Sequence, residues 1–122
     1  MAAVSSAGPL RVVLITGATT TANGTSQWID VSPYQNLSFF FKTTGNPGAG
    51  TCLIEEIDYD PKTQMVPTTT ASAIVTVDID TSVGTDGQYA YHAAAGRAYA
   101  FIRARIGTTV TVATLEVVLR AN

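Results

Sequence analysis

From residue 97 the chain reads RAYAFIRARIG, and this alternation constrains the fold more than any other feature. At the two-residue period of a strand, one face carries Ala98, Ala100, Ile102, Ala104 and Ile106. The other carries Tyr99, Phe101, Arg103 and Arg105. No stretch of a dozen residues repeats apolar side chains at helical spacing, whereas short strand-like runs recur between clusters of turn residues. Eight runs are predicted to be strands: 10–16, 26–31, 36–44, 51–59, 71–79, 88–93, 97–106 and 109–119. The breakers between them include Asn23-Gly24, suited to a tight turn with positive φ, and GNPGAG over 45–50. DPKTQMVPTTT (60–70) and DTSVGTDG (80–87) are longer loops.

Eight short strands with no helical run predict an all-β chain. The expected fold is a single antiparallel β-sandwich over residues 10–122, jelly-roll-like or Ig-like, behind a flexible arm at 1–9. The 122 residues suit one domain, and neither a linker nor an internal repeat divides them. Hydrophobic residues make up 46% and charged residues only 13%, about half the usual quarter. Nineteen threonines, with Ser, Gly, Ala and Asn, must therefore cover much of the surface, and β-branched Thr favours strands. In the fourth run Cys52 and Ile54 share one parity while Ile57 and Tyr59 share the other, which predicts a β-bulge near Glu55-Glu56.

Gly107-Thr108 suits a two-residue hairpin joining the last two runs. That register would place Ile106 opposite Thr109, Ala104 opposite Thr111, Ile102 opposite Ala113, Ala100 opposite Leu115 and Ala98 opposite Val117, an alternation of small and large partners fit for the interior. The other face would pair Arg105 with Val110, Arg103 with Val112, Phe101 with Thr114 and Tyr99 with Glu116. It is rich in aromatic residues and arginine and poor in lysine, as protein interfaces are. Tyr99, Phe101, Arg103, Arg105, Val110 and Val112 are accordingly the candidate interface residues. The alternative is that Tyr99 and Phe101 belong to the core, with the arginines reaching solvent.

Other chemistries find little support. The net charge is −2 and the pI about 5.1, so a basic footprint for nucleic acid is missing. Lys42 and Lys62 are the only lysines, too few for a polybasic membrane patch, and no apolar run approaches a bilayer span. MAAVSSAGPL lacks the basic and apolar regions of a signal peptide. NGT at 23–25 and NLS at 36–38 are then chance matches to the glycosylation pattern. Cys52 lies in an apolar run and reads as a small buried hydrophobe. His92 is the sole histidine, and its surroundings offer neither partner nor pocket for a general base. Glu55, Glu56, Asp58 and Asp60 could hold calcium, or could form a solvated acidic strand face that discourages edge pairing; Asp78 and Asp80 add a second pair. Trp28 is either a platform for a carbohydrate or a plug at one end of the core. No cofactor, small-molecule substrate or catalytic activity is expected.

The order of pieces adds a resemblance. WIDVSPYQNL (28–37) leads into a strand, IEEIDYD (54–60) follows, GRAYAFIRARI (96–106) comes next, and a Thr/Val-rich strand closes the chain. Over about residues 26–119 this resembles the small β-sandwich virion proteins of tailed bacteriophages, particularly head decoration or cement proteins. The resemblance implies a virion component made in the host cytoplasm, a homo-oligomer bound to the major capsid protein at junctions of an icosahedral shell. It implies no catalytic residues, and it would make the arm at 1–9 a clamp that orders on binding. A tail, head-completion or fibre-associated sandwich, or a carbohydrate-binding module, are the other expectations.

Overall fold

The structure, a computed structural model, describes residues 9–17, 24–60, 62–66, 71–94, 98–111 and 113–122. Residues 1–8 of the arm, Asn23 and Val112 lie outside them. The described elements are β1 (Leu10–Ile15), β2 (Ile29–Asp30), β3 (Leu37–Thr44), β4 (Thr51–Ile57), β5 (Ser72–Asp78), a single π-helical turn (Ile79–Val83), β6 (Gln88–His92), β7 (Phe101–Thr108) and β8 (Thr114–Ala121). The chain is all-β, as the alternation predicts. Residues 26–31 shrink to the two-residue β2, and the last strand starts and ends later than expected.

The strands form two four-stranded antiparallel sheets, in the orders β1-β8-β3-β6 and β2-β7-β4-β5. Strand β1 pairs with β8, β2 with β7, β3 with β6 and β4 with β5. This is one long hairpin, folded at the β4–β5 connection and rolled up so that successive pairs fall in alternate sheets. Of the two sandwiches expected, the jelly roll is the one observed. The faces alternate cleanly. In β3, Leu37, Phe39, Phe41 and Thr43 point inward, and in β7 so do Ile102, Ala104 and Ile106. Phe39, Ile54, Ile79, Ile102, Leu115 and Leu119 have no exposed surface, and side chains of both sheets join one cluster.

Thr43 is a buried polar residue on an inward face, and it is fully partnered. Its hydroxyl donates to the Gly84 carbonyl and accepts from the Gly87 amide at 3.0 Å, tying β3 to the loop before β6. The bulge expected within the fourth strand near Glu55-Glu56 is not there: β4 runs in unbroken register against β7 from Cys52 to Ile57, and the shift in the β4–β5 ladder between Ile54 and Glu55 places the extra residue, Ile74, on β5.

The hairpin at Gly107-Thr108 is absent. Both residues belong to β7, where Thr108 pairs with Thr51. Strand β7 lies between β4 and β2, and β8 between β1 and β3, in the opposite sheet. Both edges of each strand are thus taken by distant partners, and the intervening segment crosses from one sheet to the other. Val110 anchors that crossing, 3% exposed, against Gly50. Ala98, expected inside, is exposed. Strand β4 is likewise not an edge, so its acidic residues do not serve as edge protection.

Candidate interaction face

The outer surface of the β2-β7-β4-β5 sheet gathers the arginines of β7. Arg103 lies opposite Glu55 and Arg105 opposite Leu53, while Phe101 lies opposite Ile57. The Arg103 Nε donates to Glu55 Oε1 at 3.0 Å, and the Arg105 Nε donates to Oε2 of the same carboxylate at 3.0 Å. The Glu55 side chain is 7% exposed, whereas the two arginines are 25% and 28% exposed. One carboxylate therefore lies beneath two guanidinium groups and uses one oxygen on each, leaving the trio one positive charge in excess. A guanidinium has five N–H donors. Among the described residues each arginine commits only its Nε, so the terminal amino groups remain for a partner.

Ordinary strand alternation sets this arrangement: Ile54 fills the core, and Glu55, the next residue of β4, lies on the outer face under the arginines. Trp28 flanks one side, its ring 4.5 Å from the Arg103 guanidinium carbon. It is half-buried and engaged by that arginine, so it is neither an open platform nor a member of the core cluster.

A polar cluster lies at the Phe101 end of the row, where Asp30 pairs with Phe101. The Ser32 hydroxyl donates to Asp30 Oδ1 at 2.7 Å, the Ser32 amide donates to the same oxygen at 3.0 Å, and the Tyr59 hydroxyl lies 2.9 Å from the Ser32 oxygen. Desolvation raises the Asp30 pKa, but the hydrogen bonds from Ser32 and Tyr59 outweigh it and hold the carboxyl below its ordinary value. The Ser32 contact favours the ionised Tyr59, yet hydrogen bonding to Asp30, desolvation and the Asp30 charge together leave the phenol above its ordinary value. The Tyr59 ring packs edge-on against Phe101 with centroids 4.6 Å apart. Phe101, Arg103 and Arg105 thus share one half-buried face, set between Trp28 and Tyr59.

The remaining candidates fall elsewhere. Tyr99 is 6% and Val110 3% exposed, and both belong to the core cluster. Their placement on this face is corrected: that of Tyr99 rested on extending the two-residue period ahead of β7, which begins at Phe101, and that of Val110 on the hairpin register, which the crossover replaces. Val112 lies outside the described residues. Alternation alone did not reveal Glu55, Trp28 and Tyr59 as members of the face. The parity of Glu55, opposite to that of Ile54, was legible, but its place beside Arg103 depends on the pairing of β4 with β7; the other two come from β2's approach and from residues beyond the end of β4.

The acidic cluster does not converge. Glu55 is engaged by two arginines, Asp60 accepts the Lys62 amide at 2.8 Å, and Asp58 is exposed. Among the described residues no three His, Cys, Asp or Glu side chains come together as a metal site. Nor is any described helix long and apolar enough to cross a membrane. Asp78 accepts the Thr81 amide and caps the π-helical turn. His92 has a partner that the sequence did not indicate: its Nδ1 lies 2.7 Å from the Ser38 oxygen. That pair sits on exposed sheet, where β3 is laddered on both sides and its backbone amides supply no oxyanion hole.

No family model and no curated protein matches the chain. Solved structures similar to it include a prophage protein and a pilus chain. The SPBc2 prophage-derived protein YomS is 11% identical, with 98% of this chain and 99% of that one covered and a TM-score of 0.47. A chain from Bacillus endospore appendages, which form a novel family of disulfide-linked pili, is 15% identical, with 94% of this chain and 87% of that one covered and a TM-score of 0.49.

Proposed function

We propose that this chain is a non-catalytic structural subunit of a virion, a capsid decoration (cement) protein that docks its β7 face on the major capsid protein. The observation that carries the reading is the Glu55 carboxylate holding Arg103 and Arg105 side by side, with the Trp28 ring against Arg103 and Phe101 next in the row. Arginines fixed by their Nε atoms present terminal donors at little further entropic cost on binding, which is what a hot spot needs. The jelly roll also occurs in capsid proteins, an analogy of fold alone. The resemblance of residues 26–119 to decoration proteins points the same way. At their level of likeness, the prophage-derived and appendage structures add nothing to this reading. The action would be mechanical: each copy bridges neighbouring shell subunits, and many weak contacts act together against the pressure of packaged DNA.

The test is rebinding to particles stripped of the protein. Phe101→Asp should weaken attachment by about 30-fold, as loss of a 2 kcal/mol hot spot would, with the fold intact by circular dichroism. Arg103→Glu should act in the same direction, although it sets a second carboxylate beside Glu55 and its folding must be checked first. A folded Phe101→Asp chain that binds shells like the parent overturns the assignment of this face.

A further inference from the structure

The opposite surface of the molecule, on the β1-β8-β3-β6 sheet, has a charge pattern that shell docking does not use. Arg11 lies directly opposite Arg120, Arg120 opposite Ser38, and Ser38 opposite His92, so one row crosses all four strands. Like charges directly across a ladder repel. Among the described residues neither arginine has an ion-pair partner; Arg120 only leans over the Phe40 ring, its guanidinium carbon 5.3 Å from the centroid. The next row is apolar, with Val118, Phe40 and Ala90, and a third sets Glu116, Lys42 and Gln88 across from one another. Adjoining depressions of about 490 and 430 Å³ both take in Arg11, Phe40 and Arg120.

Arg11, Lys42 and Arg120 are three of the chain's seven bases, and Glu116 is the face's one acid out of nine. The face therefore carries two positive charges on a chain whose net charge is −2. The acids are concentrated elsewhere, notably in the stretch 78–86, where Asp78, Asp80 and Asp86 are all exposed. The complement to the basic row is thus present on every copy of the chain, away from the row itself.

We infer that the β1-β8-β3-β6 face binds the acidic surface of a second copy of this chain. The two contacting surfaces differ, so the contact is heterologous, and it builds a ring or a line of copies rather than a closed two-fold dimer. It is electrostatic, and salt screens it: the Debye length falls from about 10 Å at 0.1 M to about 3 Å at 1 M. Self-contact through this sheet leaves the β7 face free for a shell, and it stands independently of the shell reading.

Sedimentation velocity on the full chain, at rising protein concentration and at low and high ionic strength, tests the contact. Concentration-dependent association at low salt that dissolves at high salt is expected. The exposed pair of changes Arg11→Glu and Arg120→Glu should weaken it about tenfold or more. A monomer under every condition overturns the inference, and would direct the basic row to an acidic segment of a different protein. Association unchanged in the double variant also overturns it. A monomer that still coats stripped shells would refute self-contact while leaving the decoration reading intact; a chain that self-associates but ignores shells would do the reverse.

Discussion

Glu55 shows how one residue can organise a surface. Two guanidinium groups beside one buried carboxylate are costly unless each is hydrogen-bonded, and here each bond measures 3.0 Å. The arginines gain fixed directions, and their terminal donors stay at the surface. Cys52 lies on the inward face of the same strand and behaves oppositely. Burial pushes its thiol up to about 12, despite the partly opposing Arg105 backbone contact and charge, with Glu55 adding to the rise. A thiol so placed has almost no thiolate at neutral pH, so it cannot readily link one subunit to another. A thiol-reactive dye should fail to label the native chain over hours and should label it fully in denaturant. Rapid labelling of the native chain would contradict the buried placement of Cys52.

Strand identity was legible because alternation is local: the inward parity of Ile102, Ala104 and Ile106, and of Leu115 and Val117, holds in the structure. Pairing was not. Gly107-Thr108 satisfies the local rule for a two-residue turn, but β4 and β2 already occupy both edges of β7, and the ladder outweighs the turn. The crossing that replaces it depends on Gly50, whose φ is +132° and whose missing Cβ would lie 2.6 Å from the Val110 Cγ2. Gly50→Ala should therefore destabilise the fold by about 1–3 kcal/mol, from the combined strain and overpacking. The midpoint of urea unfolding reads this directly. An unchanged midpoint would mean that Val110 does not pack there.

The rolled hairpin turns two sheets' outer faces toward solvent on opposite sides of one core. One face holds arginines neutralised in part by Glu55 and flanked by aromatic rings, and the other holds arginines opposed across a ladder. Residues 97–107 announced a second face adapted to contact, but sequence distance concealed its components. Glu55 is far along the chain from Arg103, and Arg11 from Arg120, and only closure of the roll brings them together. The decoration reading is at bottom a matter of stoichiometry, because a cement acts by covering the shell repeatedly. Counting this chain against the major shell protein in purified particles is the most direct measurement. A decoration role requires a number comparable to that of the shell protein. A handful of copies would mark a portal, tail or fibre component, and none at all would contradict the virion reading outright.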